Sequence, residues 1–155
     1  MEQVRLSDVD TWMSPARNKR SLSNALGAEN LAMNHYVLDP GESFGFGYHR
    51  HGDQEEIFYV LEGTATFETE TGDVAVSEQE AIRFAPGEWQ RGRNETDGRV
   101  VALALGAPAD SDDIDIRRSC PDCGNRQSVR IEPTADRDAL VAICESCGAE
   151  TVRHA

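Results

Sequence analysis

Gly47-Tyr-His49-Arg-His51-Gly-Asp-Gln-Glu55-Glu56-Ile-Phe-Tyr-Val-Leu-Glu-Gly63 is the stretch on which the fold turns. On a β-strand, residues two apart face the same side, so His49 and His51 can aim both imidazoles at one point. A carboxylate five residues later, past a short turn, completes a three-sided ligand set. The plain alternative is a solvated strand end that happens to carry His-Arg-His.

Outward from this stretch, Leu31 to Gly106 offers short alternating or β-rich runs: Leu31–Asp39, Glu56–Leu61, Thr64–Glu70, Asp73–Val76, Ala81–Phe84 and Val100–Leu105. Turn residues separate them at Asp39-Pro-Gly41, Glu62-Gly63, Thr71-Gly-Asp73, Pro86-Gly87 and Thr96-Asp-Gly98. No segment there holds a helical period over 11 or more residues. An all-β sandwich or barrel is expected over residues 31–106.

The quoted stretch resembles the first motif of the cupin family: His-x-His, three or four residues, Glu, six residues, Gly. Glu56 has six residues before Gly63 and Glu55 has seven, so the resemblance points to Glu56 as the ligand. Ser43 stands where the motif expects a glycine ahead of the histidines. The second motif, Pro-x-Gly-x-x-His-x-x-x-Asn, resembles Ala85-Pro-Gly87-Glu-Trp-Gln90-Arg-Gly-Arg-Asn94, with the proline displaced to Pro86 and the histidine replaced by Gln90. The resemblance covers about residues 20–106 and implies an all-β double-stranded β-helix, the cupin or jelly-roll barrel. It also implies one Fe, Mn, Ni or Zn ion at the barrel site.

Three metal readings stay open. His49, His51, Glu56 and Gln90 hold a divalent ion, the amide oxygen being a weaker and harder donor than imidazole. Or Gln90 does not ligate, which leaves two histidines and a carboxylate, the ligand count of non-haem iron oxygenases. Or the pocket works without metal and holds its ligand by hydrogen bonds. Phe58 shares the strand face of Glu56 and is expected to line the pocket. Glu55, Glu62, Tyr48 and Tyr59 are acid/base candidates by proximity, and Arg91 and Arg93 either bind an anionic substrate or form surface ion pairs. His35 is expected to be structural.

The four cysteines form a second pattern, Cys120-Pro-Asp-Cys123-Gly and Cys144-Glu-Ser-Cys147-Gly, with 20 residues between the pairs. Two residues between thiolates let both sulfurs reach one tetrahedral ion, and the glycine after each pair permits the tight turn. Ser128–Ile131 and Ala139–Ile143 read as strands between the pairs. Disulfides or a redox CxxC are disfavoured by a reducing compartment and by the doubled spacing. Residues 119–155 resemble a zinc ribbon, whose four-cysteine zinc is structural because four thiolates close the coordination sphere.

Charge and composition set the rest. With 15 basic and 28 acidic residues the chain carries a net charge of −13, and Lys19 is the single lysine beside 14 arginines. Such a balance resembles proteins from salt-rich cytoplasms and repels phosphate backbones and anionic lipids. The ribbon segment has four arginines against six acids, so direct nucleic-acid binding is not expected and a protein partner is. No run is long and apolar enough for a bilayer span and no signal-peptide layout appears, which predicts a soluble cytoplasmic protein without membrane contact.

Residues 1–30 read as an N-terminal arm with a helical turn at Ser14-Pro15 and a basic cluster of Arg17, Lys19 and Arg20, paired with the acidic body. Residues 107–118 read as an acidic, solvated tether. A small-molecule ligand or substrate and a homodimer are expected partners. Two functions follow: a metal-dependent enzyme on a small organic acid, carbonyl or phenolic substrate, or a non-catalytic sensing barrel whose ribbon contacts another protein. A transcription-associated factor is a third, weaker reading.

Overall fold

Short extended runs bounded by turn residues pair into sheets, and the computed structural model, which describes residues 1–111 and 113–155, contains thirteen strands among them. They are β1 (Asn18–Ser21), β2 (Ala32–Leu38), β3 (Tyr48–His51), β4 (Glu55–Glu62), β5 (Thr64–Thr69), β6 (Gly72–Ser77) and β7 (Ala81–Phe84). After these come β8 (Gln90–Arg93), β9 (Val100–Ala107), β10 (Ile114–Ser119), β11 (Arg126–Pro133), β12 (Leu140–Cys144) and β13 (Glu150–His154). One sheet has the order β1-β2-β9-β4-β7 and the other β13-β12-β11-β10-β3-β8-β5-β6. The two close over one core, the double-stranded β-helix expected from the sequence, with a cysteine-bearing extension at the end of the larger sheet.

Period-2 alternation decides what the sheets enclose. Along β9, Val100, Ala102, Ala104 and Gly106 face inward while Val101, Leu103 and Leu105 face outward. Across the five-stranded sheet the inward rows run Lys19, Tyr36, Ala102, Val60, then Asn34, Ala104, Phe58, Ile82, then Ala32, Gly106, Glu56, Phe84. The small residues of the central strand leave space above it at the end where Glu56 lies. At the other end Phe44, Phe58 and Phe67 fill the barrel, with ring centroids 4.9–5.7 Å apart. Each such ring contributes about 1.5–3 kcal/mol by leaving water.

Close packing explains Gly92, where an added Cβ would come within 2.5 Å of the Phe44 and Phe67 rings. Asn94 ties the loops under this core: its amide donates to Leu38 O and Gly98 O, and its Oδ1 accepts from Thr96 N and Oγ1.

Two expectations about the chain's ends are corrected. The arm is not a free appendage over Asn18–Ser21, because β1 pairs antiparallel with β2 and a short helix, α1 (Leu22–Leu26), follows. Ser21 caps α1 through Asn24 N, and Gly27 in the left-handed region ends it, whereas Ser14-Pro15 forms a bend. Arg17 does pair with Asp39, at 2.9 Å, but Lys19 turns into the barrel.

The tether reading also fails over Ile114–Ser119, since β10 lies between β3 and β11 and pairs with both. Averaged composition hides its alternation: Ile114 and Ile116 face the barrel, while Asp115 meets Arg50 at 2.7 Å. Asp112 of the same stretch lies outside the described residues.

Candidate metal centre

β3 presents His49 and His51 on one face, and its neighbours bring the remaining groups to them. His49 stands opposite Gln90 on β8, and Glu56 reaches in from β4 on the facing sheet. Glu56 Oε2 lies 3.8 Å from the Nε2 atoms of both His49 and His51, whose rings are perpendicular. Donors about 2.1 Å from one ion stand roughly 3–4 Å apart, so the three fit a single divalent cation.

Gln90 is buried and donates from Nε2 to His49 Nε2 and to Glu56 Oε2, 2.9 Å each, leaving its Oε1 buried without a partner. Gly47 O lies 3.0 Å from His49 Nδ1 and accepts its proton, so Nε2 keeps a lone pair. Burial resists a charge on His49 and the hydrogen bond and charge of Glu56 favour one, with a net upward pull on its pKa. The Gln90 contact nevertheless requires the neutral ring, because turning the amide over would set its oxygen against the Glu56 carboxylate. His51 is held below the usual histidine value by burial, against the opposing charge of Glu56, and its buried Nδ1 has no partner. Two neutral imidazole nitrogens, a carboxylate and an orphaned amide oxygen in a buried site match what a cation binds.

The donors open onto a cavity of about 300 Å³. Phe44, Phe58, Ile114 and Ile116 form apolar wall, and Lys19, Asn34 and Tyr36 face the cavity from β1 and β2. Phe58 is therefore pocket lining, as its strand face predicts. Burial lowers the Lys19 pKa, with Glu56 pulling the other way, and raises that of Tyr36, so its hydroxyl stays protonated.

None of the acid/base candidates chosen by proximity reaches this cavity. Glu55 pairs outward with Arg83, Glu62 with Arg99, Tyr59 is exposed, and Tyr48 stacks on Trp89 outside the barrel. Arg91 and Arg93 alternate with inward Gln90 and Gly92, and Arg93 is held by Glu95 and Asp73. His35 lies on the outer face of β2, opposite Arg20, and is buried with an unpartnered Nδ1. Sequence reasoning misses Lys19 because β1 is too short to stand out as a strand; the available signal is the lone lysine two residues from a serine N-cap.

The second cluster brings all four cysteine sulfurs together. Cys120 and Cys147 Sγ lie 3.5 Å apart, Cys123 and Cys144 Sγ 3.9 Å, and all four are free thiols. A tetrahedron with ~2.3 Å metal–sulfur bonds has edges of roughly 3.8 Å. Burial opposes ionisation of Cys144, but backbone N–H groups of Cys147 and Ser146 outweigh it and bring the thiol to about 7. The second cysteine turn thus favours a thiolate at Cys144, whereas hydrogen bonds among the crowded sulfurs push the Cys123 thiol up to about 12.

Residues 34–106 match the family model described as Cupin domain. No curated protein matches the sequence. Among solved structures, the chain is similar to a sugar phosphate isomerase from a cupin superfamily of Silicibacter pomeroyi, with 20% identity, a TM-score of 0.63, and 97% of this chain and 92% of that one covered. The polyketide cyclase RemF from Streptomyces resistomycificus is similar at 23% identity and TM-score 0.62, over 74% of this chain and 83% of that one. A predicted oxalate decarboxylase from Thermotoga maritima matches at 23% identity and TM-score 0.60, over 69% and 99%. At these identities the likeness establishes the fold. Residues 34–106 are thus similar to a cupin domain and fold as its barrel.

Proposed function

We propose that this chain is a small metal-binding cupin protein that acts as a metal-dependent enzyme on a small organic substrate. One observation carries the reading: His49, His51 and Glu56 converge as lone-pair donors beside an orphaned Gln90 oxygen, on the wall of a ligand-sized cavity. His49, His51 and Glu56 are the ligands of the ion; the ion takes the His49 Nε2 lone pair in place of the Gln90 contact, and Gln90 keeps its hydrogen bond to Glu56. The bound ion would supply Lewis acidity toward a substrate oxygen. Lys19 and Tyr36 give the cavity two proton-carrying groups, which answers the lack of a second acid/base in the motif itself. The similar structures bear isomerase, decarboxylase and cyclase descriptions, so the fold does not choose among reactions.

Cys120, Cys123, Cys144 and Cys147 hold a structural zinc in a C-terminal ribbon, consistent with a reducing, cytoplasmic setting. The other reading, a sensing barrel whose ribbon meets a protein partner, is favoured by the absence of an imidazole at Gln90. The two separate on turnover: carbonyl, phenolic and organic-acid substrates are screened with metal-loaded protein. Conversion that disappears in Glu56→Ala and persists in Arg137→Ala supports the enzyme, while ligand binding without conversion supports the sensor.

A further inference from the structure

We propose that Lys19, Tyr36 and Asn34 form a cradle for an oxyanion, so that the molecule taken up by this cavity carries a carboxylate or phosphate group at the end facing β1 and β2. This deepens the reading of the cavity as a ligand site and rests on it. The three side chains come from one patch of the inner sheet face: Asn34 and Tyr36 are two apart on β2, and Lys19 is paired directly with Tyr36. All three line the cavity. Among the described residues, none of their side chains has a hydrogen-bond partner, and Lys19 Nζ has no carboxylate within 4.0 Å. Instead it lies 5.7 Å from the centroid of the Tyr36 ring.

Several exposed arginines of this chain are paired instead. Arg17, Arg50, Arg83, Arg99 and Arg153 each hold a carboxylate at 2.5–2.9 Å. Burial without a counter-ion is unfavourable for an ammonium, and it lowers the Lys19 pKa. The chain's only lysine is thus kept at a site where solvation is poor and no acid is in contact.

Charge and geometry agree on what would complete it. Among the described residues Glu56 is the one acid lining the cavity, and a divalent cation there more than neutralises it. With Lys19 the cavity then carries about two net positive charges in a chain of −13. An ammonium, a hydroxyl and an amide on one wall can each donate to an oxyanion, whose oxygens offer about four acceptor sites for a carboxylate. The ligand's opposite end then faces His49, His51 and Glu56.

The test is calorimetric titration of the full metal-loaded chain with inorganic phosphate and with malonate, at fixed ionic strength in chloride, with glycerol as the neutral control. Wild type is expected to bind one of the two anions and not glycerol. Preference for phosphate assigns a phosphorylated ligand, and preference for malonate a carboxylic acid. Lys19→Met should weaken that anion about tenfold or more, and Lys19→Arg should restore most of it. Arg5→Met, a surface control, should change nothing.

The proposal is overturned if neither anion binds wild type, or if Lys19→Met binds it within about twofold of wild type. Metal content, measured on the same samples, separates the two layers. A barrel ion present with no anion binding overturns the cradle alone, whereas a barrel without an ion overturns the metal reading beneath it. Circular dichroism of Lys19→Met guards against loss of fold, and should the variant not fold, Asn34→Leu and Tyr36→Phe carry the same expectation.

Discussion

Gln90 stands directly across the ladder from His49, and its amide reaches His49 and Glu56 at 2.9 Å each. Replacing it with leucine removes the hydrogen bond that holds Glu56 while leaving three donors, so barrel metal should still bind with affinity reduced about 10- to 100-fold, measured by chelator competition. Loss of the ion altogether would instead make Gln90 a ligand. Gly92→Ala probes the core, where its Cβ would strike Phe44 and Phe67, and chemical denaturation should show a loss of about 1–3 kcal/mol. Lys19→Met, by contrast, should raise the melting temperature at neutral pH. Its folded pKa is depressed, so the unfolded chain binds more protons and the lysine is a stability cost below its folded pKa, relieved as pH rises toward the unfolded value. The advantage of Lys19→Met should therefore shrink at alkaline pH. At this scale His49, His51, Glu56 and the cysteines were legible because their chemistry depends on short local spacing. Lys19 was not, because its meaning depends on a pairing with Tyr36 set 17 residues away.

β10 joins the cysteine-bearing end to the barrel sheet, and side chains of β11 and β13 reach the barrel as well. Arg117 lies over Trp89 at 4.3 Å, Trp89 stacks on Tyr48 at 5.2 Å, and Arg126 of β11 lies over Tyr48 at 4.5 Å while pairing with Glu68. Each cation–π contact contributes about 0.5–1 kcal/mol where solvent reaches it. On the other side Arg118 donates to Phe46 O, and His154 of β13 packs edge-on against Phe46, a cavity residue. Removing the zinc proposed for the four cysteines with a chelator should therefore unprotect β11–β13 first in hydrogen exchange and then loosen β10 and β3, which carries both histidines. Unchanged exchange in β3 would separate the two units. Strands β2, β4–β7 and β9 were legible from turn residues and alternation. β10 was not, because Asp, Ser and Arg dominate its surroundings and only Ile114 and Ile116 mark the inward face.

Viewed as a whole molecule, the five-stranded sheet presents an apolar outer face of Val37, Ile57, Tyr59, Leu61, Leu103 and Leu105, with Tyr59 36% and Leu61 41% exposed. We propose a second copy of this chain as its cover, which light scattering would register as a dimer, with Leu103→Arg monomeric. The charge of −13 should make assembly and stability rise with salt, as self-repulsion is screened. Among the described residues no helix is long and apolar enough to cross a membrane. The fold class was readable from the sequence as a whole because alternation and turns recur along the chain. The reaction was not, since it depends on which groups the four strands β1 to β4 bring to one cavity.

The barrel metal centre is tested most directly by the metal content of protein purified at high salt without added metals, for wild type and for the His49→Ala/His51→Ala double variant. Two ions per wild-type chain, one of them zinc, with only that zinc left in the variant, is the expected result. One zinc per chain in both proteins would contradict the barrel metal centre.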